Sequence, residues 1–225
     1  MKKILVIAPH ADDEVLGMGG TIAKHSQSNN EVYVLIATNA HKGDENMFSE
    51  AGINLVRNEA LQAHEILGVT NTFFLDFPAP RLNAFPFYKI SVEFNKIIDK
   101  VNPDILYLPH PGDLHLDHHA IYMAALVSAR PQNGCSVKEI YCYETLSETE
   151  WAPYQGDKHF KPNLFEAISE YMDKKIKAMS CFQSQLKDQP HTRSLSSIKA
   201  LARYRGGTVN VQYAESFEIE RVIEI

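Results

Sequence analysis

Apolar positions along this chain fall into short continuous runs separated by longer stretches with helical spacing. Five runs read as strands, at 3–8, 32–38, 72–75, 105–108 and 137–143. Between them, 14–26, 52–67, 88–101 and 118–130 carry the amphipathic spacing of helices. In the second of these, Leu55, Ala60, Ala63, Ile66 and Leu67 share one face, and Gly68 follows as a C-terminal stop. Pro103 ends the third before the fourth strand begins. Strand alternating with helix predicts an α/β fold, with a mostly parallel sheet covered by helices on both faces. No repeat, low-complexity tract or Gly/Ser linker divides residues 1–225, so a single domain is expected. Beyond Tyr143 the rhythm fails. A long loop over 145–163, marked by Trp151, Pro153, Gly156 and Pro162, precedes a predicted helix over 164–181. A further helical stretch runs to about Arg205, and 214–225 alternates as a final strand.

Two of the strand ends carry unusual chemistry. The first run opens into Pro9-His10-Ala11-Asp12-Asp13-Glu14, and the fourth into His110-Pro111-Gly112-Asp113-Leu114-His115-Leu116-Asp117-His118-His119. Loops are usually built from Ser, Asn, Gly and Lys, whereas these two repeat the side chains that hold metals. In a parallel sheet of order 3-2-1-4-5, a ligand binds where the order reverses, between strands one and four. Those are the strands that end in the two motifs. His10, Asp13 and His118 make a three-ligand set that leaves a position open for water, as zinc hydrolases require. Asp12, beside a ligand, is placed to act as a general base. His115 can donate to an oxyanion or a leaving amine, and Asp117 can cap the following helix or orient an imidazole from behind. His119 stands about 100° around the helix from His118, on another face. Gly17, Gly19 and Gly20 read as close helix packing rather than a dinucleotide fingerprint, because His, Asp, Asp and Glu intervene between the strand and the glycines. Glu14 suits either a helix N-terminus or a supporting role behind the ligands.

The two motifs resemble the signatures of the zinc-dependent N-acetylglucosaminyl deacetylases, the PIG-L or LmbE-like family. The similarity extends to the Gly17-x-Gly19-Gly20 segment, to Glu65-Ile66-Leu67-Gly68-Val69 and to Tyr213-Ala214-Glu215-Ser216-Phe217. It implies a Rossmann-like three-layer fold and hydrolysis of the N-acetyl group of an amino sugar or its conjugate. It also implies one Zn2+ per chain, or Fe2+ or another divalent ion, held by His10, Asp13 and His118. Asp12 becomes the base, and His115 the transition-state stabiliser or acid. Arg57 falls where relatives often place a substrate-contacting arginine, and reads equally well as an arginine on a solvated helix face; Arg81 and Arg193 are further candidates. Ala11 replaces a usual proline, and Phe182 stands where many relatives have histidine. The substrate walls are expected from loops 39–50, 76–88, 145–165 and 186–197. Relatives often form trimers or hexamers, which makes a homo-oligomer an expectation.

Charge and composition narrow this further. A net charge of −6, with no dense Lys/Arg cluster, argues against a nucleic-acid partner. Cys135, Cys142 and Cys181 have neither an even count nor metal spacing, which points to free thiols and a cytoplasmic, reducing setting. No apolar run approaches membrane-spanning length. Two other functions use the same residues. A non-haem iron oxygenase also needs two His and a carboxylate, usually on an antiparallel jelly roll. A non-catalytic sugar or nucleotide binder that keeps the metal as structure is the third reading, and an unligated Asp12 beside the metal would then gain little.

Overall fold

The computed structural model describes residues 1–132, 134–153 and 159–224. Gly156, one of the loop markers, and Ile225, the end of the expected last strand, lie outside them. Strand β1 (Lys3–Ala8) is the axis of the molecule, and Ile4 to Ala8 have no exposed surface. It pairs in parallel with β2 (Glu31–Asn39) on one side and β4 (Ile105–Pro109) on the other. Outside these lie β3 (Asn71–Pro78) and β5 (Glu139–Tyr143), both also parallel. This is the predicted 3-2-1-4-5 order. Two antiparallel strands extend it beyond β5: β7 (Ala214–Val222), then β6 (Leu164–Ala167) at the edge.

The period-2 alternation of β1 divides the core in two. Ile4, Val6 and Ala8 face a layer made by α1 (Asp13–Gln27), α3 (Glu50–Leu67), α6 (Met172–Met179) and α7 (Leu195–Thr208). Leu5 and Ile7 face α4 (Phe87–Val101) and α5 (Leu116–Ser128) on the other side. One short turn of helix, α2 (Ala40–Gly43), follows β2. Because α1 and α3 lie on one face and α4 and α5 on the other, the chain changes faces between β1 and β4. That crevice receives both motifs.

The C-terminal part departs from expectation. The segment 164–181 is not one helix: Leu164–Ala167 is strand β6, and α6 spans only Met172–Met179. Residues 164–167 pair with Ala214–Phe217, about fifty positions away, so a partner absent from the local pattern decides their state.

Helix α1 is broken within its length. Met18 has a non-helical φ of −146°, and two buried side chains join the halves. Lys175 Nζ donates to the Leu16 carbonyl at 2.8 Å, and the Gly20 and Thr21 N–H groups donate to Glu215 Oε1 and Oε2 at 2.9 and 2.6 Å. Lys175 and Glu215 also pair directly at 2.5 Å. The glycines are needed for contact, as expected. A Cβ at Gly20 would lie 2.7 Å from the Ile168 side chain, and one at Gly17 would meet the Tyr143 ring and the Glu144 carbonyl. Glu14, Gly17 and Gly20 therefore belong to a packed helix, with no phosphate cradle among them.

Candidate metal centre and pocket

Residues 9–12 turn out of β1, and Asp12 takes the N-cap position of α1 with φ of 120°, a backbone conformation that non-glycine residues rarely adopt. This sharp turn sends Asp12 and the next residue, Asp13, into the crevice. Asp13 Oδ2 accepts the His10 backbone N–H at 2.9 Å; His10 Nδ1 lies 3.2 Å from it and His118 Nε2 3.3 Å. Ligand atoms from His10, Asp13 and His118 all fall within 4.8 Å of one another.

His118 Nδ1 faces Asp113 Oδ2 at 2.8 Å. A proton shared there leaves the Nε2 lone pair directed at the cluster, the arrangement that orients metal-binding imidazoles. Asp117 Oδ2 lies 3.4 Å from His10 Nε2 and so braces the second imidazole, while its Oδ1 accepts the Leu82 N–H. Asp117 does not cap α5. That helix starts two residues earlier than expected, at Leu116, and its cap is His115, whose Nδ1 accepts the Asp117 N–H at 3.1 Å. His119 is exposed, whereas His118 is buried.

The donor set fits a divalent cation on two counts. Asp13 Oδ1 is fully buried and makes no hydrogen bond among the described residues, which is costly, and buried His118 Nε2 has only its 3.3 Å approach to Asp13 Oδ2. Carboxylates also crowd the site: Asp12, Asp13, Glu14, Asp113 and Asp117 are all buried. The imidazoles answer them. Burial pulls His10 down, but hydrogen bonds with Asp117 and Asp13 outweigh it and raise it to about 9. Burial likewise opposes protonation of His118, and the Asp13 charge overrides it. A second grouping, His10–His115–Asp117, is equally compact, but it engages His115 Nδ1 and Asp117 in the contacts just described. His115 itself is pushed down to about 4, by burial first and then by the charge of His10.

Asp12 stands apart from the ligand set and faces a pocket of about 500 Å³. Burial raises its carboxyl to about 7 against the pull of Arg193, whose guanidinium lies 3.2 Å away. Arg193 also donates to Ser147 at 2.6 Å, so the loops 145–153 and 186–197 meet over Asp12. Arg57 reaches the same pocket from α3, with its guanidinium on the Leu75 carbonyl and Asp76, both at 2.8 Å, and over the Phe74 ring. Arg81 lies away from this pocket and pairs with Asp44 at 3.1 Å. Phe182 is buried in the core, and Ser184 and Gln185 line the pocket beyond it. All four expected wall loops are represented, by Met47, Pro80, Glu148 and Arg193.

Three contributors escape a reading of the sequence. Asp113 had a usable signal, since a carboxylate five residues before a ligand histidine is a natural brace for it. His64 is buried and pairs with Glu14 at 2.9 Å, while Glu14 Oε2 lies 3.3 Å from the Asp12 N–H. Glu14 thus supports the strained turn. Glu148 had no signal at all, because a loop glutamate looks like solvent decoration.

Comparison with known proteins gives the chain its family. The family model for PIG-L, described as GlcNAc-PI de-N-acetylase, matches residues 5–129, more than half of the chain and both motifs. The chain belongs to the PIG-L family. Among its relatives, the diacetylchitobiose deacetylase of Thermococcus kodakarensis is 27% identical over 222 residues, covering 96% of this chain and 82% of that enzyme. The structure of the N,N'-diacetylchitobiose deacetylase of Pyrococcus horikoshii superposes with a TM-score of 0.78 at 27% identity, over 98% of this chain and 84% of that one. A 4-carboxy-2-hydroxymuconate hydratase from Pseudomonas putida shares the fold at a TM-score of 0.76 and 22% identity, over 100% and 99% of the two chains. PIG-L architecture alone therefore does not dictate the reaction. Among the described residues, no helix is long and apolar enough to cross a membrane.

Proposed function

We propose that this PIG-L protein is a metal-dependent amide hydrolase that removes the N-acetyl group from an N-acetylglucosamine-type amino sugar or its conjugate. One observation carries the reading: a buried carboxylate, Asp12, lies beside a set of metal donors without belonging to it, and opens on a pocket. His10, Asp13 and His118 would hold one ion, zinc by donor chemistry, with Fe2+ or another divalent ion able to use the same set. When bound, such an ion polarises an acyl oxygen and acidifies water.

The protein's own groups do the rest. Asp12 takes a proton from water as its oxygen bonds to the acetamide carbon. His115, at the pocket wall, donates to the oxyanion that develops. The C–N bond then breaks as Asp12 or His115 passes a proton to nitrogen, giving acetate and a free amine. Asp117 and Asp113 keep the two imidazoles in register, and Arg57 meets the substrate from α3.

Zinc-loaded protein assayed for acetate release across N-acetylated amino sugars tests this reading, with Asp12→Asn as the control. Acetate from at least one sugar, lost in the control, is expected. Stoichiometric metal with no acetate from the whole panel would reject it in favour of a binding role. The parallel sheet already disfavours the oxygenase alternative, and an oxygen electrode on the iron-loaded protein would expose it.

A further inference from the structure

We infer that the substrate of this enzyme is an amino sugar carrying an apolar substituent, which lies along one wall of the catalytic pocket. The inference rests on the deacetylase reading and extends it. Met47, Phe48, Ile53, Leu55 and Val56, from one stretch of chain, and Pro80 line the same pocket as His10, Asp12 and His115. Met47 is 72% exposed and Leu55 53%, so neither is held there by the demands of the core. Single exposed apolar residues need no explanation, but a group lining one side of a catalytic pocket does.

Hydrogen-bonding groups reach the pocket mainly from other segments, as Thr38, Glu148, Ser184 and Gln185, while Ser49 and Arg57 stand on the same stretch as the apolar residues, Ser49 engaged by the Gly52 N–H and Arg57 by Asp76. A pyranose presents hydroxyls around its rim, and any pressed against the apolar wall would lose water without gaining a partner. The sugar and its acetamide therefore belong with the polar groups and the metal donors. An aliphatic or aromatic aglycone suits the wall. The pocket's volume of about 500 Å³ leaves room for both.

The experiment compares methyl, butyl and hexyl N-acetylglucosaminides, in both anomers, with free N-acetylglucosamine. Acetate release by the zinc-loaded protein is one readout. Calorimetric binding to the metal-free protein is the other. A buried methylene contributes about fourfold in full, and a wall on one side captures about half of that free energy, or about twofold per methylene. From methyl to butyl, kcat/KM and affinity should rise about tenfold. The Met47→Asp/Leu55→Asp variant, altered only at exposed positions, should shrink that ratio towards one.

Equal kcat/KM for free and alkylated sugars would overturn the inference while leaving the deacetylase reading intact. A preference that survives in the double variant would overturn it too, since the wall would not be its source. A flat series together with an oligomer that the double variant dissociates would also overturn it, by giving the wall to a second copy of the chain. Tighter binding of the butyl sugar with no acetate from any substrate would support the wall and sink the deacetylase reading instead.

Discussion

Removing the Lys175 ammonium should destabilise this protein more than any surface change, and the structure says by how much. Lys175 and Glu215 sit with 4% and 3% of their side chains exposed, 2.5 Å apart, between the two halves of α1. Lys175→Met keeps a straight apolar stem that suits α6. It leaves the Leu16 carbonyl without that donor, and Glu215 with two backbone N–H groups but no opposite charge. Breaking a buried pair from one side costs about 3–5 kcal/mol. At this chain length that corresponds to a fall in Tm of about 6–15 °C. Replacing both partners, as Lys175→Met/Glu215→Gln, removes the uncompensated charge. The double variant should therefore lie closer to wild type than the sum of the single losses, with a coupling of about 1–3 kcal/mol.

Equilibrium unfolding in urea measures this, on chelator-treated protein so that metal binding does not add to the folded state. The m-value should be unchanged if only stability moves. A loss below about 0.5 kcal/mol for Lys175→Met, the range of ordinary surface changes, would refute the reasoning. It would mean that water or a shift of Glu215 replaces the ammonium at the break. Additive losses in the double variant would refute the charge argument specifically, leaving only two independent hydrogen-bond effects.

Three further outcomes follow from the site and the core. His118→Ala should abolish stoichiometric metal binding, and Asp113→Asn should weaken it about 10–100-fold, both read by metal analysis after dialysis; full retention in His118→Ala would point to the other His10 grouping. Asp12→Asn should keep the metal while turnover falls about 10²–10⁴-fold, and His115→Ala should cost about 10²–10³-fold; near wild-type hydrolysis by Asp12→Asn would remove it as the base. His25, held below its ordinary 6.5 by burial, gives a pH dependence. As the pH falls through that value the unfolded chain takes up a proton that the folded one resists, so stability declines on the acid side. Urea midpoints for wild type and His25→Gln near pH 7.5 and 5.5 should diverge, and parallel losses would show that other groups carry the acid limb.

What was legible in the sequence is what local pattern determines. The runs that become β1 and β4 are apolar throughout because both faces of a central parallel strand are covered, and the polar motifs begin where that cover ends. The chemistry of His10, Asp12, Asp13 and His118 was readable because the turn out of β1 and the first turn of α5 carry the functional groups in contiguous stretches. Contacts across the chain were not readable. Leu164–Ala167 has no local reason to be a strand until Ala214–Phe217 lies beside it, and nothing in 13–27 announces a break at Met18. The glycines there hint at close packing, but the break needs a lysine from α6 and a glutamate from β7 to complete its hydrogen bonds. Arg193 and Glu148 illustrate the same limit at the site. They reach the pocket from loops whose path is set by the C-terminal half, so their chemistry is ordinary until the fold brings Arg193 to 3.2 Å from Asp12. The proposed metal donors and the proposed base thus come from the part of the chain that local pattern describes best. The groups that contact Asp12 and shape the walls come from the part that only tertiary structure defines, and this is why the sequence pointed to a family and a donor set but not to a substrate.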